Sequence, residues 1–198
     1  TTLGFAIPAT LPVHSIKEFI AYTRANPGKV SMASAPGTAE MMLDVFFKEE
    51  KLDIVRVPYR DVVQAANDVA NGRLQGAFAA ITIFQAGLQA NTIRVLSITG
   101  EKRTESAPGV ATAIEQGYPR LGQEGLMGIF APRAMTEDAR KRLATDFLKA
   151  ANDPEVTRRL ASIGQVPNTG DGDVLEASIR KQTAEIAEIA RLLGIEPK

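Results

Sequence analysis

Apolar positions along the chain change period repeatedly, and each change marks an element. Residues 3–8 form a short apolar run. Ser15-Ile16-Lys17-Glu18 has the form of a capping box, in which a hydroxyl and a carboxylate satisfy opening N–H groups. Ile16, Phe19, Ile20 and Thr23 then continue at helical spacing until Pro27-Gly28. Residues 30–33 read as a strand. The loop Ser34-Ala35-Pro36-Gly37 follows, and Thr38 is placed to cap a helix carrying Met42, Leu43, Phe46 and Phe47. Ile54-Val55-Arg56-Val57 is rich in β-branched residues and bounded by Pro58, hence a strand. Asp61-Val62-Val63-Gln64 suggests a second capping box, with Asn71-Gly72 closing that helix. Strands are expected over 74–80 and 93–98, and short helices over 82–90, capped by Thr82, and over 111–116.

The pattern shifts beyond a Gly- and Pro-bearing crossover at 117–125. One strand is expected over 126–132. Helices over 136–151, 153–164 and 173–194 follow, the second opened by Asp153-Pro154. Strands and helices alternating at this spacing predict an α/β fold with a mostly parallel, doubly wound sheet.

Charge and composition then remove function classes. Lys+Arg and Asp+Glu both number 23, so the formal net charge is zero. The basic excess that nucleic acid or an anionic membrane surface requires is absent. Without cysteine there is no disulfide or thiolate chemistry, and a single histidine, His14, argues against a histidine metal site or a catalytic triad within one chain. No apolar run reaches membrane-spanning length. The chain starts at Thr1 with no visible signal peptide, so a processed or truncated start is expected.

Three places carry candidate chemistry. Ser34-Ala35-Pro36-Gly37-Thr38-Ala39 joins a strand to a helix, where free N–H groups and the helix dipole favour a small anion. Gly37 allows close backbone approach, and Ser34 and Thr38 add hydroxyls. A plain strand-to-helix turn with a Thr cap reads from the same residues and is commoner. The lysine of a phosphate loop is missing, which disfavours nucleotides. At the next strand-to-helix turn, Tyr59 can wall a pocket and Arg60 can pair a carboxylate, while Asp61 is explained by capping. Ala79 and Ala80 end the 74–80 strand and either leave room for a ligand or permit tight packing. No nucleophile elbow, paired carboxylates or metal-ligand cluster is present in a pocket loop, so no catalytic residue, cofactor or metal is expected.

The order of motifs is more specific than any one of them. Leu11-Pro12-Val13-His14-Ser15-Ile16-Lys17-Glu18-Phe19-Ile20, Asn26-Pro27-Gly28-Lys29-Val30, Ala33-Ser34-Ala35-Pro36-Gly37-Thr38, Val55-Arg56-Val57-Pro58-Tyr59-Arg60 and Gly72-Arg73-Leu74-Gln75 follow in sequence. The tail adds Gly117-Tyr118-Pro119, Gly128-Ile129-Phe130-Ala131-Pro132 and Asn152-Asp153-Pro154-Glu155-Val156, leading to Leu160-Ala161-Ser162-Ile163-Gly164. The chain resembles the extracytoplasmic receptors of tripartite tricarboxylate transporters, the Bug receptors.

The resemblance implies a periplasmic-binding-protein-like (type II) fold whose two lobes close on a small carboxylate. It makes 34–39 the ligand loop, turns Tyr59 and the end of the 74–80 strand toward the cleft, and supplies membrane transporter subunits as partners and the periplasm as location. Family members usually carry Tyr-Lys-Gly-Gly where Tyr59-Arg60-Asp61-Val62 stands here. They also begin with a further N-terminal stretch. The expected organisation is therefore one complete lobe over 7–124, with 1–6 and 125–198 as the remainder of a second, mostly helical. A lobe so reduced exposes apolar surface, which predicts a homo-oligomer. An effector-sensing domain of a regulatory protein is the alternative function.

Overall fold

The computed structural model describes residues 2–104, 107–123, 125–162, 165 and 169–195. Five strands form one sheet: β1 (Leu3–Pro8), β2 (Val30–Ser34), β3 (Ile54–Arg56), β4 (Gly76–Ala80) and β5 (Ile93–Ile98), in the order β3-β2-β4-β1-β5. β2 pairs parallel to β3 and to β4. β1 runs antiparallel to both its neighbours, with Leu3 opposite Ala80 and Pro8 opposite Ile93. Four of the five strands run the same way, but reversed β1 makes two of the four pairings antiparallel, where a mostly parallel sheet was expected. A fully buried strand reads as the same apolar run in either direction, so its polarity was hidden. Leu3 to Ala6 pair along β4, so the sheet begins at Leu3.

Side-chain alternation along the strands sorts the core into two layers. Phe5, Ile7, Val30, Met32 and Phe78 face α1 (Ile16–Ala25) and α2 (Thr38–Glu49), meeting Phe19, Met42, Leu43 and Phe46. Phe5 sits edge-on to Phe19 with ring centroids 4.9 Å apart. The opposite face is built from Ala6, Ala33, Ala77 and Ala79, which let α3 (Val62–Ala70) come close with Ala65, Ala66 and Val69. Phe84 and Ile81 complete this layer. Gly76 belongs to the same economy of space: a Cβ there would lie 2.9 Å from Met32 Cε and 3.2 Å from the Ala6 carbonyl oxygen.

Caps fall close to where they were expected. Ser15 Oγ accepts from the Glu18 N–H at 3.1 Å, and Glu18 Oε2 accepts from the His14 N–H at 2.7 Å. The box thus closes one residue before the cap itself. Asp61 accepts from Val63 N–H at 2.9 Å and caps α3. Asp153 accepts from the N–H groups of Glu155 and Val156.

Several expectations are corrected. Thr38 does not cap α2; it is the first helical residue, and Gly37 occupies the cap position. Residues 82–90 are not one helix capped by Thr82, but a 3-10 turn (Ile81–Phe84) entered from Ala80, then α4 (Gln85–Gln89). Residues 111–116 form turns, tied by a single bridge between Ile98 and Thr112. The strand expected at 126–132 is irregular chain with no ladder partner among the described residues. Apolar alternation proposes a strand, but only a hydrogen-bonded neighbour makes one.

A second 3-10 turn (Pro119–Leu121) precedes the helices α5 (Glu137–Ala151), α6 (Pro154–Ser162) and α7 (Gly172–Leu193). The expected end of α6 at Gly164 lies outside the described residues. α7 ends on Gly194 in the left-handed conformation at φ 74°. Its C-terminal half docks on α2. Ile189 is buried, Lys48 Nζ donates to the Leu192 carbonyl, and Arg120 bridges Glu49 of α2 to Glu188 of α7.

Candidate functional site

β2, β3 and β4 end at one edge of the sheet, and β1 starts there. Open α/β sheets keep ligands at such an edge because the strand-to-helix loops converge on it. The loop from β2 into α2 opens a cleft of about 400 Å³. Ala35, Pro36, Thr38 and Ala39 line it together with Leu3, Met42, Gln123, Gly125, Leu126 and Gln182. The cleft therefore gathers four segments: the first strand, the β2–α2 loop, the crossover after residue 121, and α7.

The conformation of the loop explains its chemistry. Gly37 has φ 84° and ψ −131°, a region open essentially to glycine alone. This conformation turns the chain into α2 without a side-chain cap. The opening N–H groups of a helix have no intrahelical acceptor, so those of Thr38, Ala39 and Glu40 keep their donor capacity beside the cleft. Upstream, the Ala35 N–H donates to the Phe78 carbonyl at 2.9 Å and anchors the loop to β4.

The other expected site residues are placed differently. Ser34 is not part of the cleft lining; its Oγ accepts from Arg56 Nη2 at 2.6 Å. Gly37 shapes the loop without lining the cleft. Tyr59 packs on the α3 side of the sheet and donates its hydroxyl hydrogen to Asp68 Oδ2 at 2.6 Å. That bond raises the Tyr59 pKa and lowers that of Asp68. Arg60 is exposed and outside the cleft. Ala79 is fully buried against the α3 layer, and Ala80 opens the 3-10 turn. Of the two readings of these alanines, tight packing describes Ala79.

Sequence reasoning missed Arg56 and the far contributors. Arg56 ends β3, its Nε lies 3.0 Å from Asp44 Oδ1, and it reaches Glu40 Oε1 at 3.7 Å. Burial raises the Asp44 pKa, and the Arg56 charge partly opposes that rise. The available signal was the pair Glu40 and Asp44, one helical turn apart on the helix beside that strand. Gln123 and Gln182 left no local signal, since tertiary packing alone brings them to the loop. Among the described residues, no cluster of His, Asp or Glu is arranged to hold a metal ion.

Comparison with known proteins decides what the cleft belongs to. The family described as the tripartite tricarboxylate transporter family receptor matches residues 1–195. The chain belongs to this receptor family. A UPF0065 protein of Pseudomonas sp. (strain P51) is 28% identical over 180 residues, covering 89% of this chain and 54% of that protein. A second, from Cupriavidus necator, is 27% identical over 169 residues, covering 84% of this chain and 51% of its own. The chain spans about half the length of these curated relatives. Among solved receptors, an R. palustris protein with adipate superposes with a TM-score of 0.81 at 25% identity, covering all of this chain and 67% of that one. A periplasmic transporter gives 0.77 at 25% identity, with 98% and 64% covered. The tripartite tricarboxylate transporter receptors are solute-binding proteins rather than enzymes, and their periplasmic-binding fold is the fold found here.

Proposed function

We propose that the chain is the ligand-binding part of an extracytoplasmic receptor for a small carboxylate, which it delivers to membrane transporter subunits. One observation carries the reading: α2 opens uncapped onto the cleft lined by Ala35, Pro36, Thr38 and Ala39. Free N–H groups at the positive end of a helix dipole are a ready carboxylate site. The family membership and the adipate held by a relative of the same fold support it. Location outside the cytoplasm is part of the proposal, supported by the neighbour described as periplasmic. Among the described residues no helix is long and apolar enough to cross a membrane.

In this reading one carboxylate group lies over the first turn of α2. The Thr38 hydroxyl donates to it, and the positive φ of Gly37 turns the chain so that the first N–H groups of α2 stay open. Leu3, Met42 and Leu126 supply an apolar wall for the ligand's carbon chain. The test is a thermal-shift series with dicarboxylates from malonate to suberate, using diamines of the same lengths as controls. At least one dicarboxylate at millimolar concentration should raise the unfolding midpoint, and the diamines should not. A ligand at one hundred times its dissociation constant stabilises the fold by roughly 2.7 kcal/mol. A flat response to every carboxylate would overturn the proposal.

A further inference from the structure

Arg56 holds together three things that must keep their relative positions if the β2–α2 loop is to bind anything. Its Nη2 donates to Ser34 Oγ at the end of β2 at 2.6 Å. Its Nε forms an ion pair with Asp44 Oδ1 at 3.0 Å, and Nη2 lies 3.7 Å from Glu40 Oε1. The guanidinium also sits over the Phe47 ring, 5.8 Å from its centroid. Glu40, Asp44 and Phe47 fall on one stripe of α2 at the spacing that aligns side chains along a helix. A single planar group thus joins the strand entering the loop to the first three turns of the helix leaving it.

We propose that Arg56 is the positioning residue of the ligand loop: by fixing Ser34 against α2 it sets where the opening N–H groups and the Thr38 hydroxyl lie. The inference rests on the carboxylate reading of that loop. Three features distinguish the arrangement from an ordinary surface ion pair. The side chain of Arg56 is only 28% exposed. Its Nε and Nη1 are shielded from solvent, Nε against the Asp44 carboxylate. Finally, Glu40 and Asp44 offset its charge, so the brace leaves attraction of an anion to the loop's own donors. Ser34 accepts from Arg56 and still holds its hydroxyl proton, which makes it a support for the loop while Thr38 faces the cleft. A lysine in place of Arg56 would keep the charge and lose the fork that reaches two elements at once.

Amide hydrogen exchange on the chain, compared with Arg56→Met, Arg56→Lys, Ser34→Ala and the double variant Ser34→Ala/Arg56→Met, tests this. The informative amides are Ala35, bonded to the Phe78 carbonyl, and Met41, bonded to the Gly37 carbonyl; Phe5 and Phe78 report the sheet. Arg56→Met should speed exchange at Ala35 and Met41 at least tenfold while leaving Phe5 and Phe78 within twofold. The lysine variant should fall between, and also serves if the methionine variant does not fold. Adipate titration supplies the second readout: Arg56→Met should weaken binding at least fivefold, and adding Ser34→Ala should weaken it no further. Equal acceleration at all four amides, or additive losses of affinity, would overturn the proposal. If the unaltered chain binds neither adipate nor another carboxylate, the receptor reading fails, and the exchange data still decide whether Arg56 braces the loop.

Discussion

At the residue scale, Gly37 and Asp44 separate conformational from electrostatic demands on the same loop and helix. Gly37→Ala adds a methyl group that meets no neighbour, so any cost is backbone strain. Urea unfolding should show a loss of about 1–3 kcal/mol, the usual range for a non-glycine residue held in such a region. Asp44 tests charge. Its folded-state pKa is raised above the ordinary 3.8, chiefly by burial. The folded state therefore holds this proton more tightly than the unfolded one, and Asp44 contributes stability that is gained as pH falls through its raised value toward 3.8. Glu115 has the opposite sign. The Thr112 N–H and then Arg103 hold its pKa below 4.5, so its contribution is present above 4.5 and is lost as pH falls through the lowered value. Measured against the unaltered chain from pH 7 to pH 3, Asp44→Asn should lose relative stability on acidification and Glu115→Gln should gain it. Parallel curves for both variants would contradict these assignments.

At the element scale, α7 is held by packing more than by charge. Arg120 bridges Glu49 and Glu188 near the surface, where such pairs contribute about 0–1 kcal/mol. Ile189 is 4% exposed in the α2 layer, and truncating such a side chain costs roughly 2–5 kcal/mol. Ile189→Ala should therefore lower the denaturant midpoint well beyond Arg120→Ala; the reverse order would mean that the ion pairs anchor the helix. α7 also shows which elements were legible beforehand. Its start, apolar stripe and terminal Gly194 are local signals, and so are the five apolar strand runs. Residues 126–132 carry the same kind of run without becoming a strand, because a strand depends on a partner. Residues 111–116 lack a full apolar face and settle into turns. In the site, the loop at 34–39 announced itself by position and composition. Arg56 did not, since its role depends on two carboxylates that only folding brings under it. Arg60 was the more conspicuous cation and is not among the residues that line the cleft.

At the scale of the whole molecule, apolar surface is distributed unevenly. Met127, Ile129 and Phe130 are 71%, 65% and 76% exposed, and Phe147, Val174 and Ile195 are about half exposed. A groove of about 250 Å³ runs between Leu126, Gly128 and Phe130 on one side and Leu175, Ile179 and Ile186 on the other. Exposed apolar side chains gathered in this way favour association, and residues 126–132 join no strand ladder among the described residues. We expect the 198-residue chain to self-associate, with a mass by light scattering above that of one chain and a shift toward monomer in Met127→Glu/Phe130→Glu. A monomer at every concentration would refute this.

The reversed strand β1 has a consequence for how quickly the fold can form. Its two partners span residues 76–98, and the register joins Leu3 to Ala80 and Pro8 to Ile93. Closing so long a loop must be completed before any of these contacts rewards it, which slows folding. As the chain is synthesised, residues 3–8 remain without their strand partners until β4 and β5 exist, and during that interval an unpaired apolar strand gains from a chaperone's cover.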